Sequence, residues 1–172
     1  MSNSQSVVTS RILLLDETRI AAKLRRMAYE VWERLPHAKA ITVVGIEGGG
    51  LGVAQALAKI LGEISGAAVE VHALRIDKRK PVTVADTLPI DLSGKDVVLV
   101  DDVANSGRTL LYALRPLLAY EPARILLAVL VDRAHKSFPV APDIVGHTVS
   151  TTLQENIEVV CEGDRVVSAY LQ

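Results

Sequence analysis

The sequence predicts an α/β fold, a doubly wound and mostly parallel sheet, on three observations. Short runs of Val, Ile and Leu at 41–46, 97–100 and 124–131 read as strands buried on both faces. Between them, apolar residues recur three or four apart, the spacing of helices with one buried stripe. The junctions after the first two runs are glycine-rich, acidic or small and polar, which places candidate ligand loops along the carboxyl edge of the sheet.

Taken in order, residues 11–15 suit a short strand, and Asp16 suits the N-cap of a first helix. Ile20, Leu24, Met27 and Val31 form its buried stripe, and Pro36 helps to stop it. The opposite stripe of Arg19, Lys23, Arg26, Glu30 and Glu33 mixes signs and reads first as a solvated face, with an RNA contact surface as the sharper alternative. Strand 41–46 runs into Glu47, Gly48, Gly49 and Gly50, and a second helix follows through Leu57, Ile60 and Leu61. A third strand is expected at 69–76. The stretch 77–92, carrying Lys78, Arg79, Lys80, Pro81 and Pro89, reads as a long connection of the kind that forms lids. After strand 97–100, Leu110, Leu111, Leu114, Leu117 and Leu118 mark a helix, 124–131 marks another strand, and 157–161 and 166–171 form a pair around the Gly163-Asp164 turn.

At 172 residues the chain suits one domain spanning 1–172, able to bury roughly two thirds of its unfolded surface without disulfide or metal staples. Hydrophobic residues at 49% exclude a disordered chain, and aromatics at 3% leave the aliphatic residues to build the core. The net charge of -1 gives no global footprint of a nucleic-acid binder. The single Cys161 has no intramolecular disulfide partner and reads as a small core hydrophobe. With a polar beginning that lacks an apolar signal segment, and no apolar run near 18 residues, the expectation is a cytoplasmic protein without a membrane span.

The most informative stretch is V-V-L-V-D-D-V-A-N-S-G-R-T-L, Val97 to Leu110. It joins a buried strand, the acidic pair Asp101 and Asp102, and the loop Ala104, Asn105, Ser106, Gly107, Arg108 and Thr109 ahead of a helix. Backbone N–H groups at that helix start, the hydroxyls of Ser106 and Thr109, and the close approach allowed by Gly107 suit a phosphate monoester. The adjacent carboxylates suit sugar hydroxyls or a divalent cation. An isolated Asp-Asp more often just ends a strand; joined to this loop, the pair describes a site for a ribose and its phosphate.

In these residues the chain resembles the type I phosphoribosyltransferases, whose phosphoribosyl-pyrophosphate (PRPP) motif is a hydrophobic strand, two acids and a Thr/Ser-Gly-Arg-Thr-like turn. The resemblance extends toward the bifunctional pyrimidine-operon attenuator and uracil phosphoribosyltransferase family through I-L-L-L-D-E, V-V-G-I-E-G-G-G-L-G-V-A, L-A-V-L-V-D-R-A-H-K-S-F-P-V and P-D-I-V-G-H. It implies the type I fold with a small hood over the base, and a reaction in which a nucleobase nitrogen displaces pyrophosphate from C1 of PRPP with Mg2+ as cofactor. It further implies that Asp101 and Asp102 hold the ribose hydroxyls and the metal, that Ala104 to Thr109 cradle the 5′-phosphate, and that Glu47 to Gly50 approach the pyrophosphate. Val131, Asp132, Arg133 and His135, matching the family's V-D-R-G-H, would line the base, with uracil favoured over a purine.

Relatives often place Thr-Arg-Gly where this chain has Gly48, Gly49 and Gly50, so an arginine expected on the pyrophosphate is replaced. Arg75, Lys78, Arg79 and Lys80 are the cations able to compensate, Arg75 as a catalytic candidate; an ordinary solvated charge run is the equal alternative. The resemblance also implies a homo-oligomer, a dimer by analogy. It leaves two further functions open, a nucleotide-sensing RNA attenuator and a purine phosphoribosyltransferase. Around the first helix the attenuators resemble L-T-R-I-A-H-E, whereas this chain reads Leu24, Arg25, Arg26, Met27, Ala28, Tyr29 and Glu30.

Overall fold

The computed structural model describes residues 11–77, 79–80, 88–150 and 155–172. The elements are β1 (Ile12–Leu15), α1 (Glu17–Arg34), β2 (Ala40–Ile46), α2 (Gly49–Ser65), β3 (Ala68–Leu74), β4 (Asp96–Ala104), α3 (Arg108–Leu118), β5 (Arg124–Arg133), β6 (Ile144–Val149), β7 (Ile157–Glu162) and β8 (Arg165–Leu171). Five strands form a parallel sheet in the order β3-β2-β4-β5-β6, and three form an antiparallel sheet in the order β1-β8-β7. The α/β expectation holds, and the small second sheet is the expected hood.

The continuous apolar runs follow from burial on both faces. Val98 and Val100 point into a core shared with Ile20, Leu24 and Met27 of α1 and Leu57 and Leu61 of α2. Val97 and Leu99 point the other way, against Leu110, Ala113 and Leu117 of α3. Asp16 caps α1 as its residue type predicts, its Oδ1 accepting the Arg19 N–H at 2.8 Å. Among the described residues no helix is long and apolar enough to cross a membrane.

Four details depart from the sequence reading. β6 was visible only as the fragment P-D-I-V-G-H, because Gly146, His147 and Thr148 dilute its apolar pattern. Its glycine lets the edge strand lie close to β5: a Cβ at position 146 falls 2.5 Å from the Leu130 carbonyl oxygen. β1 joins the hood by pairing with β8, a long-range partnership that local pattern does not encode. β4 runs through the acidic pair to Ala104, and β3 ends at Leu74, leaving Arg75 beyond it. Of the 77–92 connection, residues 78 and 81–87 lie outside the described residues, Lys78 among them. Its later part is anchored, with Leu88 and Leu92 buried and the Tyr120 hydroxyl donating to the Leu88 carbonyl at 2.9 Å.

Candidate active site

β4 is the middle strand, so its carboxyl end opens between β2 and β5, where open parallel sheets take their ligands. Asp101 is buried, with 1% exposure, and its Oδ1 accepts the Asp102 N–H at 2.9 Å. Asp102 is half-buried, and its Oδ1 accepts the Val103 N–H at 2.9 Å. Each carboxylate is thus oriented by the next peptide of its own strand.

Beyond Ala104 the chain turns through Asn105, Ser106 and Gly107 into α3. Gly107 sits at φ +82°, where a side chain is strained. A Cβ there also falls 2.6 Å from Val140 Cγ1. The N-cap Gly107 has no side chain to cap α3, and Ser106 Oγ accepts the Arg108 N–H at 3.2 Å; the helix start aims the positive end of its dipole at the loop. Asp101, Val103, Ala104, Asn105, Ser106, Gly107, Thr109 and Leu110 line a cleft of about 320 Å³ at this point. Arg108 does not line this cleft; its guanidinium lies 5.9 Å from the Tyr112 ring centroid, along α3.

The three glycines read as a loop are a turn and the opening of a helix. Gly48, at φ +99°, is the N-cap of α2, and Gly49 and Gly50 are its first residues. Their lack of side chain has a direct cause in the acids: a Cβ at Gly49 falls 2.0 Å from Asp102 Oδ2, and one at Gly50 falls 2.8 Å from Asp101 Oδ1. The first turn of α2 therefore rests on the acidic pair, and the two motifs form one surface. At the same sheet edge Arg75 Nε donates to Glu47 Oε2 at 3.0 Å, although the Arg75 side chain is 85% exposed. Arg79 and Lys80 are exposed.

The segment from β5 flanks the other side of the loop. Arg133, nearly buried, donates to the Glu155 carbonyl at 2.6 Å. With His135 it lines a second cleft of about 630 Å³ together with Asn105, Ser106, Ser137, Glu155 and Asn156. Asn105 and Ser106 belong to both clefts, so the two are contiguous. Asp132 is drawn into an ion pair with Lys136 at 2.6 Å. Val131 is fully buried in the core between Val103 and His147, and only its backbone is available to position its neighbours.

Sequence reasoning missed Ser137, Glu155, Asn156 and the role of Lys136. The hood brings the two 150s residues in through a pairing of Asn156 with Gln172, for which local pattern carries no signal. Lys136 was visible as the end of V-D-R-A-H-K. Cys161 lies under α2, its thiol 3.8 Å from the Gly49 carbonyl, and burial followed by the charge of Asp102 pushes its pKa up. A protonated, half-buried thiol fits the packing role expected of it.

A parallel sheet whose middle strand delivers paired carboxylates beside a helix N-terminus defines an α/β protein built to hold a phosphorylated sugar. The chain belongs to the phosphoribosyl transferase domain family, whose model matches residues 13–163. It is 35% identical over 161 residues to the bifunctional protein PyrR of Bacillus cereus strain AH820, with 87% of this chain and 89% of that relative covered. PyrR of Bacillus thuringiensis subsp. konkukian strain 97-27 matches to the same extent. Among solved structures, the hypoxanthine phosphoribosyltransferase of Trypanosoma cruzi superposes with a TM-score of 0.73 at 16% identity, covering 91% of this chain and 95% of that one. A Bacillus anthracis hypoxanthine-guanine phosphoribosyltransferase gives 0.70 at 18%, covering 81% and 82%. At these identities the two structures speak to the shared fold.

Proposed function

We propose that the protein is a uracil phosphoribosyltransferase, transferring the 5-phosphoribosyl group of PRPP to uracil and releasing UMP and pyrophosphate. The observation that carries the reading is that Asp101 lines one cleft with Ala104, Asn105, Ser106, Gly107 and Thr109, with Asp102 next to it on β4. A ribose 5-phosphate set across that cleft meets carboxylates at its hydroxyls and N–H donors at its phosphate. As the glycosidic bond to pyrophosphate breaks, positive charge grows on the ribose ring, and the two fixed carboxylates stabilise it without reorganising. In this reading the N–H groups at the start of α2 and the guanidinium of Arg75 would take the departing pyrophosphate; the Arg75–Glu47 bond at the same sheet edge supports it.

Asp101 and Asp102 offer hard oxygen donors, and among the described residues no third His, Cys, Asp or Glu joins them as a metal cluster. That donor set suits Mg2+, which keeps water and substrate oxygens in most of its coordination positions. When bound it supplies charge neutralisation between ribose and pyrophosphate oxygens.

The base preference rests on the segment Val131, Asp132, Arg133, Ala134 and His135, and on the lining of the second cleft. No Phe, Tyr or Trp is among the cleft's described lining residues, whose side chains are all polar. Such a wall reads a small dioxo ring by hydrogen bonds and offers a purine no large aromatic face to stack on. The test is turnover of PRPP and Mg2+ with uracil, hypoxanthine and guanine in parallel. UMP formation is the expected result. Folded protein that binds PRPP yet makes no UMP refutes it, and turnover of a purine alone moves the assignment to purine salvage.

A second reading, an RNA-binding attenuator of pyrimidine genes, is favoured by one further observation. Arg19, Lys23 and His147 converge on a cleft of about 510 Å³ between α1 and β6. Burial first, then the charges of Lys23 and Arg19, hold the His147 pKa below its usual value, so the imidazole is neutral at pH 7 and charges only as the medium becomes acidic. If this face binds a pyrimidine-operon leader RNA with UMP present, gel-shift affinity should rise between pH 7 and 5.5, and His147→Gln should flatten that rise. Weak, purely salt-dependent and pH-independent retardation removes the reading.

A further inference from the structure

We propose that Lys136 is a positioning residue that locks the base-side turn onto the 5′-phosphate loop. Its ammonium forms an ion pair with Asp132 Oδ1 at 2.6 Å and donates a hydrogen bond to the Arg133 carbonyl at 3.1 Å, and so closes the turn on which Arg133 and His135 are carried. The ion pair is shielded: the side chains are 11% and 13% exposed. Breaking such a pair from one side leaves an uncompensated charge away from water, so its geometry is strongly held.

The stem of the same side chain lies on the phosphate loop. A Cβ at Gly107 falls 3.3 Å from Lys136 Cδ. The next two residues continue the contact, with the Ser137 and Phe138 N–H groups both donating to the Ser106 carbonyl at 3.1 Å. On the strand side, Asp132 pairs in register with Ala104, the last residue of β4 before the loop. Base-side turn and phosphate loop are thus fastened at three places; Lys136 makes the first itself and is tied to the third through its ion pair with Asp132.

The charge arrangement gives Lys136 a second effect. Paired, Asp132 and Lys136 form a neutral unit beside a nest that must accept a dianion. Without the ammonium, a carboxylate would stand one strand away from Ala104 and repel the 5′-phosphate, and the base would meet a loosened turn. The base side of this inference rests on the uracil reading; the phosphate side does not.

The experiment compares wild type with Lys136→Met, Lys136→Arg and the charge-free pair Asp132→Asn/Lys136→Met. Calorimetry with ribose 5-phosphate and uracil kinetics with PRPP are the readouts. Lys136→Met is expected to raise the ribose 5-phosphate Kd and the uracil KM at least tenfold while kcat at saturation falls less than threefold. Lys136→Arg should return both within threefold of wild type. The double variant should regain ribose 5-phosphate affinity but keep the raised uracil KM. Wild-type values for Lys136→Met, or a double variant as weak toward ribose 5-phosphate as the single one, overturn the proposal.

If Lys136→Met does not fold, the arginine and double variants decide alone. If wild type makes no UMP, the functional reading fails separately, and amide exchange still judges the latch. The Ser137 and Phe138 amides should exchange at least tenfold faster in Lys136→Met, and unchanged protection refutes it.

Discussion

Asp102→Asn is expected to lower turnover by roughly a hundredfold or more while the melting temperature moves by only a few degrees. The substitution keeps the shape of the side chain, and an amide oxygen still accepts the Val103 N–H that the carboxylate accepts at 2.9 Å. Asp102 is half-buried against the start of α2, so its charge does not sustain the core. Under the proposed reaction, what is lost is a negative charge beside the ribose as the ring becomes cationic, together with one oxygen donor for Mg2+. Removing a single preorganised electrostatic contact of this kind costs about 3–4 kcal/mol in the transition state. Asp101→Asn should lower turnover similarly but with a larger thermal shift, because Asp101 is buried at 1% exposure. Steady-state kinetics beside thermal denaturation separates the two effects. Equal fractional loss of fold and turnover in Asp102→Asn would assign the residue to structure.

Much of this arrangement was legible in the chain because it is written locally. Val97 to Val100 had to be a central strand, since only a sheet covered on both faces hides four consecutive aliphatic residues. The acids and the N-S-G-R-T loop follow in the same breath of sequence, so strand, carboxylates and helix start were fixed relative to one another by covalent connectivity. Three features were hidden because they depend on chain segments meeting from a distance. Gly49 and Gly50 looked like a free loop, and their reason for being glycine is the carboxylates of β4, fifty residues on by roughly the loop-closure scale that makes such contacts unreadable locally. Asn156 enters the second cleft only because β7 pairs with β8. Arg75 is exposed, and its partner Glu47 lies on the neighbouring strand's end.

The contact between α2 and the acids makes Gly49→Ala the sharper probe of the site. Alanine at a helical position normally stabilises by about 0.5–1 kcal/mol relative to glycine. Gly62, in the interior of α2, shows that case: a Cβ there meets only Val69 Cγ2, at 4.0 Å, so Gly62→Ala should raise the melting temperature and leave turnover alone. At Gly49 the new methyl falls 2.0 Å from Asp102 Oδ2, 2.6 Å from Cγ and 3.0 Å from Cβ. Swinging Asp102 about its Cα–Cβ bond relieves the first two contacts and leaves the third to a shift of a few tenths of an ångström, so either Asp102 gives up its rotamer or the first turn of α2 lifts from β4. Either movement separates the pyrophosphate end of the cleft from the ribose end, and turnover should fall at least as far as in Asp102→Asn. If Asp102 rotates, the overpacking cost of about 1–3 kcal/mol is partly offset by the helix preference, and stability falls modestly. Gly49→Arg, which places a guanidinium in this turn, meets the same obstruction and should not raise turnover. A gain of turnover in Gly49→Arg would mean that α2 and β4 can separate without damage, and that Asp102 does not need the close seat it occupies here.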